Sequence, residues 1–275
     1  YPMLKDREGG VWIGTYYNGV NYLPPYCGQF NGYSESSDIP YFSSRIISRF
    51  CEGENGNIWI ASDDSGLSCF NPSTMQFIDF NGREKLNKKN LHALCMVGKD
   101  LWIGTYGDGI QILNTQTGEI KSYNTTNGLD ENSIYSIFKD KQGQIWTGSM
   151  NGICQYNAQN QQFTPIRHLE ALVIEIIEDA KGNLWIATLG GGLFRYSPQK
   201  NKEWKKYGQE QGLNGLNINH LCINQDNKLW AATNEGLYLY NPLKDTFEYQ
   251  PLKVPNKCIN AILEGEDCLW LTTAK

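Results

Sequence analysis

Residues 176–198 read IIEDAKGNLWIATLGGGLFRYSP. A short apolar run closes on the polar turn EDAKGN. A Trp-centred run, LWIAT, follows, and then a Gly-rich turn opens a third short run, LFRYS. Runs this short, rich in β-branched and aromatic residues and punctuated by Gly and Asp/Asn turns, read as β-strands rather than helices. A fourth run, EWKKY at 203–207, completes the unit. The same order surrounds Trp12, Trp59, Trp102, Trp146, Trp185, Trp230 and Trp270, which are spaced by 47, 43, 44, 39, 45 and 40 residues. A Gly stands six or seven residues after each of the first six of these Trp, followed by strings such as NGVNYLPP, SGLSCFNP and EGLYLYNP. Four short strands per period of about 43 residues is the signature of a β-propeller.

The remaining composition fits. The chain has 275 residues, of which 28 are Gly, 16 Tyr and 8 Trp, and only 19% are charged. Low charge with many aromatics and glycines suits strands joined by tight turns and argues against a helical bundle or a disordered chain. A single four-stranded sheet cannot bury both faces; stacking each against its neighbours can. The regular Trp are therefore read as packing between blades. Six repeats run to their fourth strand and the seventh stops after two. The expectation is an all-β fold, a β-propeller of the seven-bladed type with four-stranded antiparallel blades and an incomplete last blade. The blades fall roughly at 1–36, 37–82, 83–125, 126–166, 167–210 and 211–251, with a partial one at 252–275.

The net charge of −5, without a dense Lys/Arg stretch, argues against nucleic-acid contact. No apolar run approaches the ~20 residues of a membrane span, so this stretch is expected to make no membrane contact. The chain opens at Tyr1-Pro2 without a Met or a leader pattern and reads as a segment of something longer. Eight Cys form no CxxC pair, and most replace an apolar residue in a strand, so they read as small buried hydrophobes. No metal site and no cofactor are expected, and no GxSxG, HExxH or phosphate-loop string occurs.

The phrase DxxGNLWIGTxxGGLxxYNP, present here at 176–198 and as IFKDKQGQIWTGSMNGICQYN at 137–157, resembles the two-component regulator propeller repeat. The connector phrases NGLDENSIYSI at 127–137 and QGLNGLNINHL at 211–221 also fit. The resemblance implies the periplasmic sensor region of a hybrid two-component receptor. In its layout, two propellers and an immunoglobulin-like module precede a membrane span, a histidine kinase, a receiver and a DNA-binding domain. It implies a glycan breakdown product as ligand, the adjacent propeller and immunoglobulin-like module as partners, a homodimer of the parent, and no catalysis by this segment.

In a propeller, the loops between second and third strands share a face with the blade-to-blade connectors. The first set carries Tyr16, Tyr17, Asp63, Asp64, Tyr106, Asp108, Asn151, Asn234 and Glu235; the second covers 34–43, 81–90, 124–133, 166–170, 208–219 and 250–256. Tyr rings beside carboxylates and amides suit a sugar, which offers an apolar ring face and many hydroxyls. Solvated turns use the same residue types. His92 and His220 each lie ten residues before a blade Trp, at the start of a first strand, and are expected to face the channel. Two rival readings stay open. A carbohydrate lyase or hydrolase would use His92 or His220 beside a carboxylate or Tyr. A pure interaction scaffold would bind protein alone.

Overall fold

A computed structural model describes residues 2–34, 39–254, 256–265 and 268–273. It divides into two compact units, Tyr1–Ile137 and Phe138–Lys275. In the first unit, blade 1 holds β1 Met3–Lys5, β2 Val11–Gly14, β3 Val20–Leu23 and β4 Asn31–Tyr33. Blade 2 holds β5 Ile47–Glu52, β6 Ile58–Ser62, β7 Gly66–Asn71 and β8 Gln76–Ile78; blade 3 holds β9 Leu91–Val97, β10 Asp100–Thr105, β11 Ile110–Asn114 and β12 Ile120–Tyr123. Blade 4 has β13 Ile134–Lys139, within which the division falls, then β14 Ile145–Ser149, β15 Gly152–Asn157 and β16 Gln162–His168.

The second unit continues with β17 Leu172–Glu178, β18 Leu184–Leu189, β19 Leu193–Ser197 and β20 Glu203–Tyr207 in blade 5. Blade 6 holds β21 Ile218–Ile223, β22 Leu229–Thr233, β23 Gly236–Asn241 and β24 Thr246–Gln250; β25 Ile259–Glu264 and β26 Leu269–Thr273 follow. Each blade pairs its strands in chain order, and the paired registers are antiparallel.

The expected blade number is corrected. Among the described residues there are six four-stranded blades, and β25 and β26 make a two-stranded sheet rather than a seventh blade. The reason is material: the seventh repeat contains neither the Gly-led third run nor the aromatic fourth run that built the other six. The expected loop stretches 34–43 and 250–256 are described except for residues 35–38 and 255, which lie outside the described residues.

The second strand of a blade is covered on both faces, which is why it reads as a continuous apolar run instead of alternating. All five residues of β6 and of β14 are buried. The Trp at its centre reaches the next blade. Trp12 stacks on Tyr22 with ring centroids 4.0 Å apart and meets Phe70 of blade 2 edge-on at 5.0 Å. Trp146 meets Tyr196 of blade 5, and Trp185 meets Tyr240 and Phe247 of blade 6. Such aromatic pairs add about 0.5–1.5 kcal/mol each beyond the area they bury.

Each of the five connectors between the four-stranded blades drives one apolar side chain into the core beneath it. Phe42, Leu86, Leu129, Leu169 and Leu213 are all buried. Leu86 closes the short helix α1, Arg83–Leu86, while Leu129 and Leu213 follow 3₁₀ turns at Thr125–Asn127 and Gln209–Gln211. Among the cysteines, Cys69 and Cys154 are buried as read, but Cys27 and Cys268 are exposed.

Candidate functional site

In the first unit the loops and connectors are laced into one rim. Gly19 N donates to Arg45 O and Ile47 N to Thr15 O, which seats the Tyr16–Tyr17 loop on the connector after blade 1. That connector is held in turn by blade 2. Asp64 accepts from Ser44 Oγ at 2.6 Å and from Arg45 N at 3.1 Å, and Asp63 N donates to Ile46 O. The pattern repeats one blade on. Lys88 N donates to Ser65 O, Tyr106 N to Asn90 O, and Lys89 Nζ to Asp108. Asp64 and Asp108 are therefore committed to holding the rim together.

His92 lies inside this rim. Its Nδ1 is 3.3 Å from Asp63 Oδ1, with the side chains 18% and 29% exposed. The approach is too poorly aligned for a hydrogen bond, and Asp63 Oδ1 has no hydrogen-bond partner among the described residues. The imidazole lies against Tyr135, with centroids 4.5 Å apart and planes at 25°, and meets Tyr106 edge-on at 6.3 Å. Tyr106 is 59% exposed. Burial pushes Asp63 up to about 6, helped by the neighbouring Asp64 charge. Burial, helped by Arg49, pulls His92 down to about 4. At neutral pH the pair is a carboxylate beside an uncharged imidazole, half-buried between phenol rings. Burial also raises the Tyr135 phenol, so it stays a donor. Such a cluster offers apolar ring faces, acceptors and donors in one place.

Tyr135 was missed by sequence reasoning. It stands eleven residues before Trp146, one off the phase of His92, and that offset was its only signal. Tyr16 and Tyr17 form their own edge-to-face pair at 4.8 Å, and Tyr17 is 72% exposed.

The second unit treats its share differently. His220 has the same offset as His92, yet both ring nitrogens are occupied. Nδ1 accepts from Ile262 N at 3.4 Å and Nε2 faces Glu175 Oε1 at 3.5 Å. Glu175 also accepts from Leu221 N at 2.6 Å. A neutral imidazole so held has no lone pair left for a general base. Asn151 and Asn234 serve the loop backbone: Leu169 N donates to Asn151 O and Asn234 N to Asn217 O. Glu235 N donates to Thr233 Oγ1. Among the described residues, no group of three His, Cys, Asp or Glu could hold a metal, and no helix is long and apolar enough to cross a membrane.

The comparisons with known proteins fit this architecture. The family profile described as two component regulator propeller matches residues 128–151, the connector into blade 4 and its first two strands. Histidine kinase P4 of Formosa agariphila is 27% identical over 191 residues, which is 62% of this chain and 14% of that protein. The extracellular domain of the putative hybrid two component system BT4673 from B. thetaiotaomicron superposes with a TM-score of 0.81 at 23% identity, covering 98% of this chain and 36% of that one. The corresponding domain of BT3049 gives 0.81 at 21%, covering 98% and 37%. The chain thus spans little more than a third of either solved relative, and less of the kinase. It carries the two-component regulator propeller repeat in a fold shared with the extracellular domains of hybrid two-component systems.

Proposed function

We propose that this chain is an extracytoplasmic, periplasmic sensing segment of a hybrid two-component receptor, that it binds an oligosaccharide without turning it over, and that the first unit's rim is where it does so. The observation that carries the reading is the cluster of Asp63, His92, Tyr106 and Tyr135. It combines an uncharged imidazole, an underused carboxylate oxygen and two phenols at one half-buried spot. Those are the groups that grip a sugar ring face and its hydroxyls. The parent protein's adjoining propeller, immunoglobulin-like module and dimer partner belong to the same proposal. Ligand would act by binding two states of the receptor with different affinity, because only differential binding shifts such an equilibrium.

The test is titration of the 275-residue chain with a panel of neutral and acidic disaccharides, read by intrinsic fluorescence. In parallel, reducing ends are assayed against the parent polymers. One sugar should bind, His92→Ala and Tyr106→Ala should each weaken it by about tenfold, a loss of ~1.4 kcal/mol, and reducing ends should not accumulate. Steady release of reducing ends abolished by His92→Ala would instead establish the lyase or hydrolase reading. A panel that never binds would sink the sugar-sensing reading.

A further inference from the structure

A second place in the molecule is built to receive a ligand, and it owes nothing to the rim. At the other end of the blades, where first strands turn into second and third into fourth, blades 5 and 6 line an open cavity of about 690 Å³. That is within the ~300–1,000 Å³ usual for small-molecule sites. Its floor is Trp185, and over that ring lies the Arg195 guanidinium, 5.5 Å from the centroid and the same distance from the Tyr207 ring on another side.

Most of the cavity's acceptors are already spent on the protein; Asp226, at its exposed edge, faces Lys228 Nζ at 3.3 Å. Asp179 takes the backbone N–H groups of Lys181 and Asn183 on Oδ1, and Asn183 Nδ2 and Trp185 Nε1 on Oδ2. Asp245 takes Arg195 Nη1 at 3.0 Å together with Lys205 Nζ and the hydroxyls of Tyr207 and Tyr240. Glu248 takes Asn241 Nδ2 and Lys244 Nζ. Even Asn183 Oδ1 is used, by Ser197 Oγ.

Two cationic donors, Arg195 and Lys181, are not fully spent. Arg195 bonds only through Nη1, to Tyr240 and Asp245. Its Nε–Nη2 edge is the side that meets a carboxylate or sulfate with two parallel hydrogen bonds. Lys181 stands exposed at the rim of the same cavity. Asp245 and the flanking aromatic rings fix the guanidinium in place, so little side-chain freedom is left to lose on binding.

We infer that this cavity binds a small molecule bearing a carboxylate or sulfate group, with Arg195 clamping the oxyanion, Lys181 adding charge at the mouth, and the blade 5–blade 6 seam as the element it braces. The site is independent of the sugar-binding reading of the rim.

The experiment is calorimetric titration of the 275-residue chain, at low salt, with sodium glucuronate, sodium sulfate and glucose. At least one anion should bind in the millimolar range or tighter while glucose does not. Glucuronate alone assigns a carboxylate, sulfate alone a tetrahedral oxyanion. Arg195→Lys, which keeps a cation beside Asp245 but removes the fork, should weaken binding by about tenfold. Lys181→Glu, at an exposed position that no fold contact needs, should weaken it several-fold, and His92→Ala should leave it unchanged. The inference is overturned if neither anion binds, if glucose binds equally well, or if the Lys181→Glu chain, shown folded by its urea midpoint, binds as tightly as the parent.

Discussion

At the scale of the single residue, the blade Trp explains an acid that composition alone would assign to a turn. Six positions before Trp12, Trp146 and Trp185 stand Asp6, Asp140 and Asp179, and each carboxylate accepts the indole N–H at 2.8–2.9 Å while also taking turn amides. At the same offset before Trp230 stands Asn224, whose Oδ1 takes Lys228 N. The Trp230 indole N–H is buried without a partner. An unsatisfied buried donor costs about 1–3 kcal/mol. Asn224→Asp should therefore stabilise the chain by about 1 kcal/mol, raising the urea midpoint at constant slope. The gain should grow when Gln225→Lys is added. Gln225 N already faces Glu264, and in blades 1 and 4 the matching residue is basic, with Arg7 and Lys141 bonded across to blades 2 and 5. The reverse change, Asp140→Ala, should cost ~1–3 kcal/mol, since it strips an acceptor from Gln142 N, Gln144 N and Trp146 together. A lowered midpoint for both Asn224→Asp and the double variant would show that the acid is not there for the indole.

At the scale of the element, the Gly that opens each third strand does more than the repeat reveals. Gly66 has φ +87°, and a Cβ there would lie 1.9 Å from the Leu86 carbonyl oxygen. The connector that plants Leu86 in the core runs directly across this glycine. The repeat phase made the turn legible, because a left-handed conformation favours Gly on local grounds alone. The close approach was not legible, because its other half lies twenty residues on, in a connector that the repeat does not encode. Gly56 provides the control: its φ is +79° and no heavy atom lies within 4 Å of its missing Cβ. Gly56→Ala should cost only the left-handed penalty, about 1–2 kcal/mol, whereas Gly66→Ala should add a clash of ~1–3 kcal/mol on top. Urea unfolding of the two variants separates these contributions. Equal losses would mean that the connector yields freely and that its seat on β7 contributes little.

At the scale of the whole molecule, what was legible was what repeats. The Trp phase carried the six blades and their strand order; the blade number went astray because the seventh repeat lacks the residues for two strands. The site was legible only as a set of loops. His92 and His220 share one offset from their Trp, and what separates them comes from other blades: Glu175 and Ile262 occupy both nitrogens of His220, while Asp63 approaches only Nδ1 of His92. The difference should show in the pH dependence of stability. Asp63 sits at about 6 in the folded chain against an ordinary 3.8, so its contribution is present below 3.8 and lost as pH rises through 6. His92 sits at about 4 against 6.5, so its contribution is present above 6.5 and lost as pH falls through 4. Between pH 4 and 6 the two slopes oppose, each ~1.4 kcal/mol per pH unit at most, and the pair contributes almost no net slope. Neither shift has the other residue among its causes, so removing one should expose the other. Relative to the parent chain, Asp63→Asn should gain stability from pH 4 to 6 and His92→Gln should lose it, each by up to ~3 kcal/mol. Subtracting the parent's urea-unfolding curve cancels the titrating groups that are not coupled to the residue replaced. Two variant curves running parallel to the parent would mean that neither group is desolvated by folding, and the uncharged imidazole beside a half-buried carboxylate, on which the proposal of sugar binding rests, would go with them.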